Sequence, residues 1–391
     1  MPSHPSSRAV RTWIEISTRS LFHNYACFRW LARGVPVMAV VKSNAYGHGL
    51  VLTAKALATL PSFWKSGWFG VDSIVEALRL RREGIHEPIL VLGYTLPGRY
   101  ADAARHGITV TISNFESLGA LGRAKARPAF HLKIDTGMHR LGFQVHEMAR
   151  LADTLRSSRL SPQGVFSHFA AADKRAASRR QMALFDRCRT ALARAGIKPN
   201  VVHLAKTEGI LFHPESRHDL VRLGIGLYGY LPGPASPAGR RQAGLTKSRT
   251  LEDERLKLRL RPVMTWKTIV SEVKRVRKGE RIGYDLTERL RRNTDVAILP
   301  VGYWHGFDRG LSSVGEVLVH GKRCRVLGRV SMDMTAVDVT GLRGASIGDE
   351  VVLIGRQGRE FIGAHEMAAK IGTTCYEVLV RINPLIRRTL G

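Results

Sequence analysis

The segment Val35-Pro36-Val37-Met38-Ala39-Val40-Val41, running directly into Lys42-Ser43-Asn44-Ala45-Tyr46-Gly47-His48-Gly49, sets the frame for the chain. Seven consecutive apolar residues are too few for a free-standing helix and too uniform for a strand with one wet face. The run therefore reads as a strand buried on both sides, the kind parallel sheets use. Seven more runs share the texture, at residues 68–71, 88–92, 108–112, 130–134, 164–168, 200–204 and 219–223, most of them followed by helical periodicity. Such alternation predicts an α/β fold, and eight β/α units within about 200 residues predict a closed (β/α)₈ barrel. An open doubly wound sheet is the alternative, but its GxGxxG turn after the first strand is absent.

On the N-terminal side, Ser17-Thr18 can cap a helix with an apolar face of Leu21, Tyr25, Phe28 and Leu31, expected to plug or flank the barrel floor. Beyond Gly229, residues Pro232, Pro234, Pro237 and Gly239 open a basic stretch that reaches Arg261 and reads as a linker or insertion. Strand-like runs follow at 263–276, 280–284, 295–301, 315–319, 323–330, 335–339 and 350–354, then a helix at 363–371 and a closing segment at 375–382. The expected division is an N-terminal tail (1–11), the barrel (12–231), the basic linker (232–260) and a C-terminal mostly-β domain (261–391). For 391 residues this agrees with a prior of roughly 150 residues per domain.

Composition narrows the function classes. With 44% hydrophobic and 24% charged residues the chain is an ordinary globular one, not disordered or low in complexity. No apolar run approaches the ~20 residues of a membrane span, and residues 1–5 lack a hydrophobic targeting core, so a cytoplasmic location is expected. Cys27, Cys188, Cys324 and Cys375 form no CxxC pair, which argues for reduced thiols and against a disulfide framework or a metal site. The net charge of +29 would attract polyanions at low salt. The basic residues are spread along the chain without interleaved aromatics, so the expectation is a solvated basic surface and no specific nucleic-acid partner.

Barrel enzymes carry their reactive groups where strands end. Lys42 leaves the first strand, and a lysine at a barrel mouth can serve as an amine nucleophile. The loops after the last two strands read His203-Leu204-Ala205-Lys206-Thr207 and Arg222-Leu223-Gly224-Ile225-Gly226. Their glycines would let backbone N–H groups approach an anion. An amine and a phosphate cradle in one mouth suit pyridoxal 5'-phosphate.

The segment 39–49 resembles the cofactor-binding signature of alanine racemases. The resemblance continues in the same order through 133–142, 167–170, 222–229, 282–284, 301–303, 328–333 and 375–377. It implies that Lys42 holds the cofactor and is one of two bases, with Tyr284 the other, helped by His168 and Arg222. It further implies that Arg222 faces the pyridine nitrogen, that Arg140 binds the substrate carboxylate, and that Lys133 is carried as a carbamate, as in some members. Tyr46, Tyr376, Thr207, Gly224 and Ile225 match contacts to the phosphate. Met332 and Asp333, with Tyr284, match a loop given by the second subunit of a homodimer, and Tyr303 matches a supporting tyrosine. The implied activity is racemisation of alanine, supplying D-alanine for peptidoglycan. Two sites depart from the family pattern: Lys206-Thr207 stands in place of Asn-Ser, and Trp304-His305 in place of Ala-Asp in the substrate corridor. A racemase of serine or of a basic amino acid, a decarboxylase on the same scaffold, and a non-enzymatic polyanion-binding protein are the competing readings.

Overall fold

The computed structural model describes residues 10–231 and 258–391, so the expected basic linker lies, but for its last residues, outside the described part. Eight parallel strands follow one another as Val37–Val40, Trp68–Val71, Ile89–Tyr94, Ile108–Ile112, Phe130–Asp135, Gly164–Phe166, Val201–His203 and Val221–Leu223. The eighth returns to pair with the first, Arg222 opposite Met38. The seam between seventh and eighth is bridged by Asp219 N–H to the Val202 carbonyl and Arg222 N–H to the Ala205 carbonyl, each at 3.0 Å. The result is a nearly closed barrel, as the alternation predicts.

Strand alternation sorts the side chains into two cores. Val37, Ala39, Phe69, Ile89, Val91, Leu132 and Ile134 face the helices, while Met38, Leu90 and Leu220 pack inside with Trp68, Leu92 and Val201. One step further along each strand the inward positions become polar: Lys133, His203 and Arg222, all at most 5% exposed. The strand period of two thus delivers these groups to the barrel's C-terminal mouth. The sixth and seventh strands end earlier than their apolar runs. The carbonyls of Ser167 and Leu204 go to the Arg222 guanidinium, at 2.7 and 2.9 Å, and no longer extend the ladders.

The helix Thr18–Leu31 forms with Ser17 as its cap, the Ser17 side chain accepting from Ser20 N–H. It does not plug the barrel floor. It lies beside the helices Leu50–Ala58 and Thr207–Phe212 and the short turn Ile225–Tyr228, and so fills a place in the outer ring between the eighth and first units. Tyr25 and Phe28 anchor it, because an amphipathic helix gains most by burying its apolar face against those units.

Thr12–Ile16, expected with the barrel, instead pairs antiparallel with Met264–Ile269 and parallel with Arg387–Leu390 in the second sheet. This ten-stranded sheet also includes Glu272–Val276, Thr294–Leu299, Glu316–Val319, Lys322–Leu327, Thr335–Asp338 and Glu350–Gln357. The run 263–276 is split at Val270-Ser271, where Val270 N–H bonds Asp349 O and Ser271 N–H bonds Ile298 O, passing the chain from one neighbour to another. A separate two-stranded ladder, Arg281–Ile282 with Glu288–Arg289, carries Tyr284 at its turn. Helices Ala364–Ile371 and Cys375–Val380 follow, the second packing on the turn after the first barrel strand. All four cysteines are free. Among the described residues no helix is long and apolar enough to cross a membrane.

Candidate active site

Lys42 opens a turn in which Ser43, Asn44, Ala45 and Tyr46 all have φ between +52° and +55°. Left-handed backbone costs roughly 1–2 kcal/mol per L-residue, so the turn must be held from outside. Glu76 does part of this: its carboxylate accepts from Ser43 N–H at 2.7 Å and from Asp72 N–H at 2.8 Å, tying the ends of the first two strands together. Lys42 Nζ in turn donates to Asp72 Oδ1 at 3.1 Å. The turn brings Tyr46 to the same mouth as Lys42.

Between them lies a cavity of about 720 Å³. Lys42, Tyr46, Lys133, Arg140, His168, Thr207, Arg222, Gly224, Ile225 and Tyr376 all line it. Among the described residues Arg222 has no carboxylate partner. Its guanidinium donates to the carbonyls of Ser167, His203 and Leu204, lies 2.5 Å from His203 Nδ1 and 3.3 Å from His168 Nδ1, and its pKa is pushed down to about 9 by burial. Both imidazoles must offer lone pairs to it, and both are held well below the ordinary histidine value by burial and by that cation. His203 Nε2 then donates to His131 Nδ1 at 2.9 Å, deeper in the barrel.

Lys133 is 5% exposed, with its ammonium 5.6 Å from the Phe166 ring centre. Burial first, then Arg140 and Arg222, bring its pKa down to about 8. Arg140 is placed by a loop wrapped on Asp135, whose carboxylate accepts from the N–H groups of Gly137, Met138, His139 and Arg140 at 2.9 to 3.1 Å. Gln181, from the helix Arg175–Arg194, donates to Thr136 Oγ1 and the His168 carbonyl, and so joins this loop to the one bearing His168.

At the far end, Thr207 Oγ1 accepts from Gly224 N–H at 3.1 Å. A methyl group added at Gly224 would lie 3.0 Å from Tyr46 Oη and 3.8 Å from Thr207 Oγ1, so the missing side chain leaves a space faced by two hydroxyls. Tyr376 joins them from the C-terminal region, its ring centre 6.0 Å from that of Tyr46. Burial raises both phenols above their ordinary values, so they remain hydrogen-bond donors. A hydroxyl-lined cradle at a glycine, in a cavity edged by cations, fits a phosphate ester.

Tyr284, Tyr303, Met332 and Asp333 do not line this cavity. They lie apart from it, in the turns and loops of the C-terminal region. Tyr303 N–H bonds the Ser331 carbonyl and Trp304 N–H the Met332 carbonyl, each at 3.0 Å. Arg329 pairs with Asp285 at 2.8 Å beside the Tyr284 turn. Asp333 Oδ1 lies 3.9 Å from His305 Nδ1. Tyr284 is 68% and Met332 54% exposed.

The residue-by-residue reading left out Asp72, Glu76, His131, Gln181 and Glu208, and gave His203 no role. Asp72 follows the end of the second strand, where the rule applied to Lys42 would have found it. His131 sits one inward position below Lys133, so its strand phase was legible. Glu76 and Gln181 act from helices, and no local signal marks them.

Comparison with known proteins agrees with this architecture. Residues 16–232 match the family model for the alanine racemase N-terminal domain, and residues 263–390 that for the C-terminal domain. The chain is 38% identical to the alanine racemase of Symbiobacterium thermophilum over 97% of each protein. Its structure superposes on alanine racemase from the D-cycloserine-producing Streptomyces lavendulae with a TM-score of 0.85 at 32% identity, covering 100% of this chain and 98% of that one. Alanine racemase from Bacillus anthracis with bound L-Ala-P gives a TM-score of 0.85 at 30% identity, covering 100% and 96%. With both halves matched and the cavity built from the positions that carry the resemblance, the chain belongs to the alanine racemase family of isomerases.

Proposed function

We propose that the protein interconverts L- and D-alanine with pyridoxal 5'-phosphate, as a homodimer in which each copy completes the other's site. The observation that carries this is a single cavity joining an amine, a buried guanidinium and a hydroxyl-lined cradle. Lys42 would hold the cofactor through Nζ. Thr207, Tyr46, Tyr376 and the backbone of Gly224 and Ile225 would hold its phosphate, and Arg222 its ring nitrogen. When bound, the cofactor would supply an electron sink beside the substrate's Cα.

The remaining chemistry belongs to the chain. Arg140 would bind the substrate carboxylate, a charge-assisted task suited to a planar guanidinium. Arg222 does not surrender a proton, so it would leave the ring nitrogen unprotonated and the sink modest, which favours proton return over side reactions. Inverting Cα requires removing a proton on one face and returning one on the other, hence two bases. Lys42 serves one face and Tyr284 of a second copy the other. A phenol ordinarily titrates near ~10 and must be helped to ionise. His168, its Nδ1 turned to Arg222, has Nε2–H to donate to that phenolate. At Lys133, a neutral amine can add carbon dioxide and lose a proton, giving an anionic carbamate between Arg140 and Arg222.

The turns and loops of the C-terminal region support the dimer. Tyr284, Leu286, Trp304, Met332 and Met334 are large, exposed and neighbouring, a patch that a second copy would cover. Racemised D-alanine would then serve peptidoglycan synthesis. Trp304-His305 makes a parallel assay with serine and lysine worthwhile, since that substitution changes the substrate corridor.

Purified protein is expected to absorb near the visible edge, to be labelled at Lys42 after borohydride reduction, and to form D-alanine from L-alanine. Protein that takes up no cofactor, or that is labelled at another lysine, would overturn the assignment.

A further inference from the structure

The phosphate end of the cavity contains a carboxylate that an anion site has no use for. Glu208 is 9% exposed and lines the cavity beside Thr207 and Tyr376. Its Oε1 accepts from Lys206 Nζ at 3.0 Å. Its field reaches both phenols: after burial, Glu208 is the next cause that keeps Tyr46 and Tyr376 protonated. Where water is scarce, charges are weakly screened, so Glu208 by itself would repel a phosphate. Lys206 neutralises it here. That lysine also lines the cavity, and its flexible stem lets one ammonium serve more than one acceptor.

We propose that Lys206 and Glu208 form an exchangeable ion pair, in which Glu208 holds the lysine when no cofactor is present and Lys206 turns to the cofactor's phosphate on binding. This rests on the pyridoxal phosphate reading above. Lys206 is then a phosphate ligand, and Glu208 a positioning residue that acts through it. The pair discriminates by phosphate alone, so it should distinguish pyridoxal phosphate from pyridoxal.

Four variants fix the signs. Lys206→Met removes the attraction and leaves Glu208 unpaired; it is expected to weaken pyridoxal phosphate binding roughly 10- to 100-fold, the scale of a charged hydrogen bond. Glu208→Gln removes the repulsion and frees the lysine, so affinity equals or exceeds that of the unaltered protein. The double variant K206M/E208Q binds more tightly than K206M, because no stranded carboxylate remains. Lys206→Arg keeps most of the affinity.

The full-length protein, resolved from its cofactor, is titrated with pyridoxal phosphate and with pyridoxal, following tryptophan fluorescence. The expected result is the stated order for pyridoxal phosphate and no change across the series for pyridoxal. The proposal falls if K206M binds pyridoxal phosphate as tightly as the unaltered protein, if it loses both compounds equally, or if the double variant is no tighter than K206M. Unaltered protein that binds neither compound overturns the cofactor reading and the exchange together, whereas a wrong order in a binding-competent protein overturns only the exchange.

Discussion

At the scale of single residues, the barrel and the turn after its first strand hold imidazoles that must stay neutral. His203 and His168 face Arg222, His131 takes a proton-bearing nitrogen from His203, and His48 is buried against the Tyr228 ring. Burial pushes His131 down to about 3 and His48 to about 4. The unfolded chain binds protons at these histidines below pH ~6.5, and the folded chain does not. Stability is therefore complete above that pH and declines as pH falls toward the folded values, by up to ~1.4 kcal/mol per pH unit for each histidine. Urea midpoints measured from pH 7 to 4.5 are expected to drop steeply, and His131→Asn is expected to flatten the slope. Midpoints that do not move with pH would contradict this account. The histidines are plain in the sequence, but their neutrality follows from burial, to which the Arg222 guanidinium adds at His131, His168 and His203.

At the scale of elements, the left-handed turn after the first strand is where the barrel meets the C-terminal segment. Gly47 ends that turn at φ +85°, and a methyl group there would lie 2.1 Å from the Leu379 carbonyl oxygen. The Gly47 carbonyl accepts from Arg388 Nε at 2.8 Å. Helix Cys375–Val380, which bears Tyr376, thus rests on a glycine with no room for a side chain. Gly47→Ala is expected to destabilise by roughly 2–4 kcal/mol, because both the backbone conformation and the contact are violated. Gly34, at φ +88° with nothing within 4 Å, provides the control: Gly34→Ala should cost only about 1–2 kcal/mol. Chemical denaturation of the two variants measures the difference, and equal losses would mean that the Leu379 contact carries no weight. The eight strands were legible because each is a short, mostly apolar run, most of them followed by helical periodicity. The turn was not, because Ser-Asn-Ala-Tyr carries no glycine to announce positive φ.

At the scale of the whole molecule, the residues of the proposed mechanism are divided between two surfaces of one chain: Lys42 in the barrel mouth, Tyr284 exposed at the turn of the separate two-stranded ladder. If a dimer unites them, K42A and Y284F proteins should each be inactive and should complement when mixed. A hybrid dimer has one site with both native bases and one with neither, so statistical mixing predicts about a quarter of the unaltered activity. Mixtures that remain inactive after subunit exchange, verified by mass, would place both bases within one chain. By itself the sequence determined the barrel and the β-rich second half, because strand period and strand-end position are local properties of the chain; Lys42 and the loops of Thr207 and Gly224 followed from strand ends, whereas Tyr46, Lys133, Arg140, His168 and Tyr376 came from the family resemblance. Only the tertiary structure decided that Thr12–Ile16 and Arg387–Leu390 share one sheet, that the first helix joins the outer ring, that Asp72 and Glu208 stand beside the lysines they pair with, and that Glu76 meets the backbone N–H groups of Ser43 and Asp72. Those pairings join segments far apart along the chain or set by a turn's unusual geometry, and such proximity is fixed by packing and hydrogen bonding in three dimensions, not by any pattern of neighbouring residues.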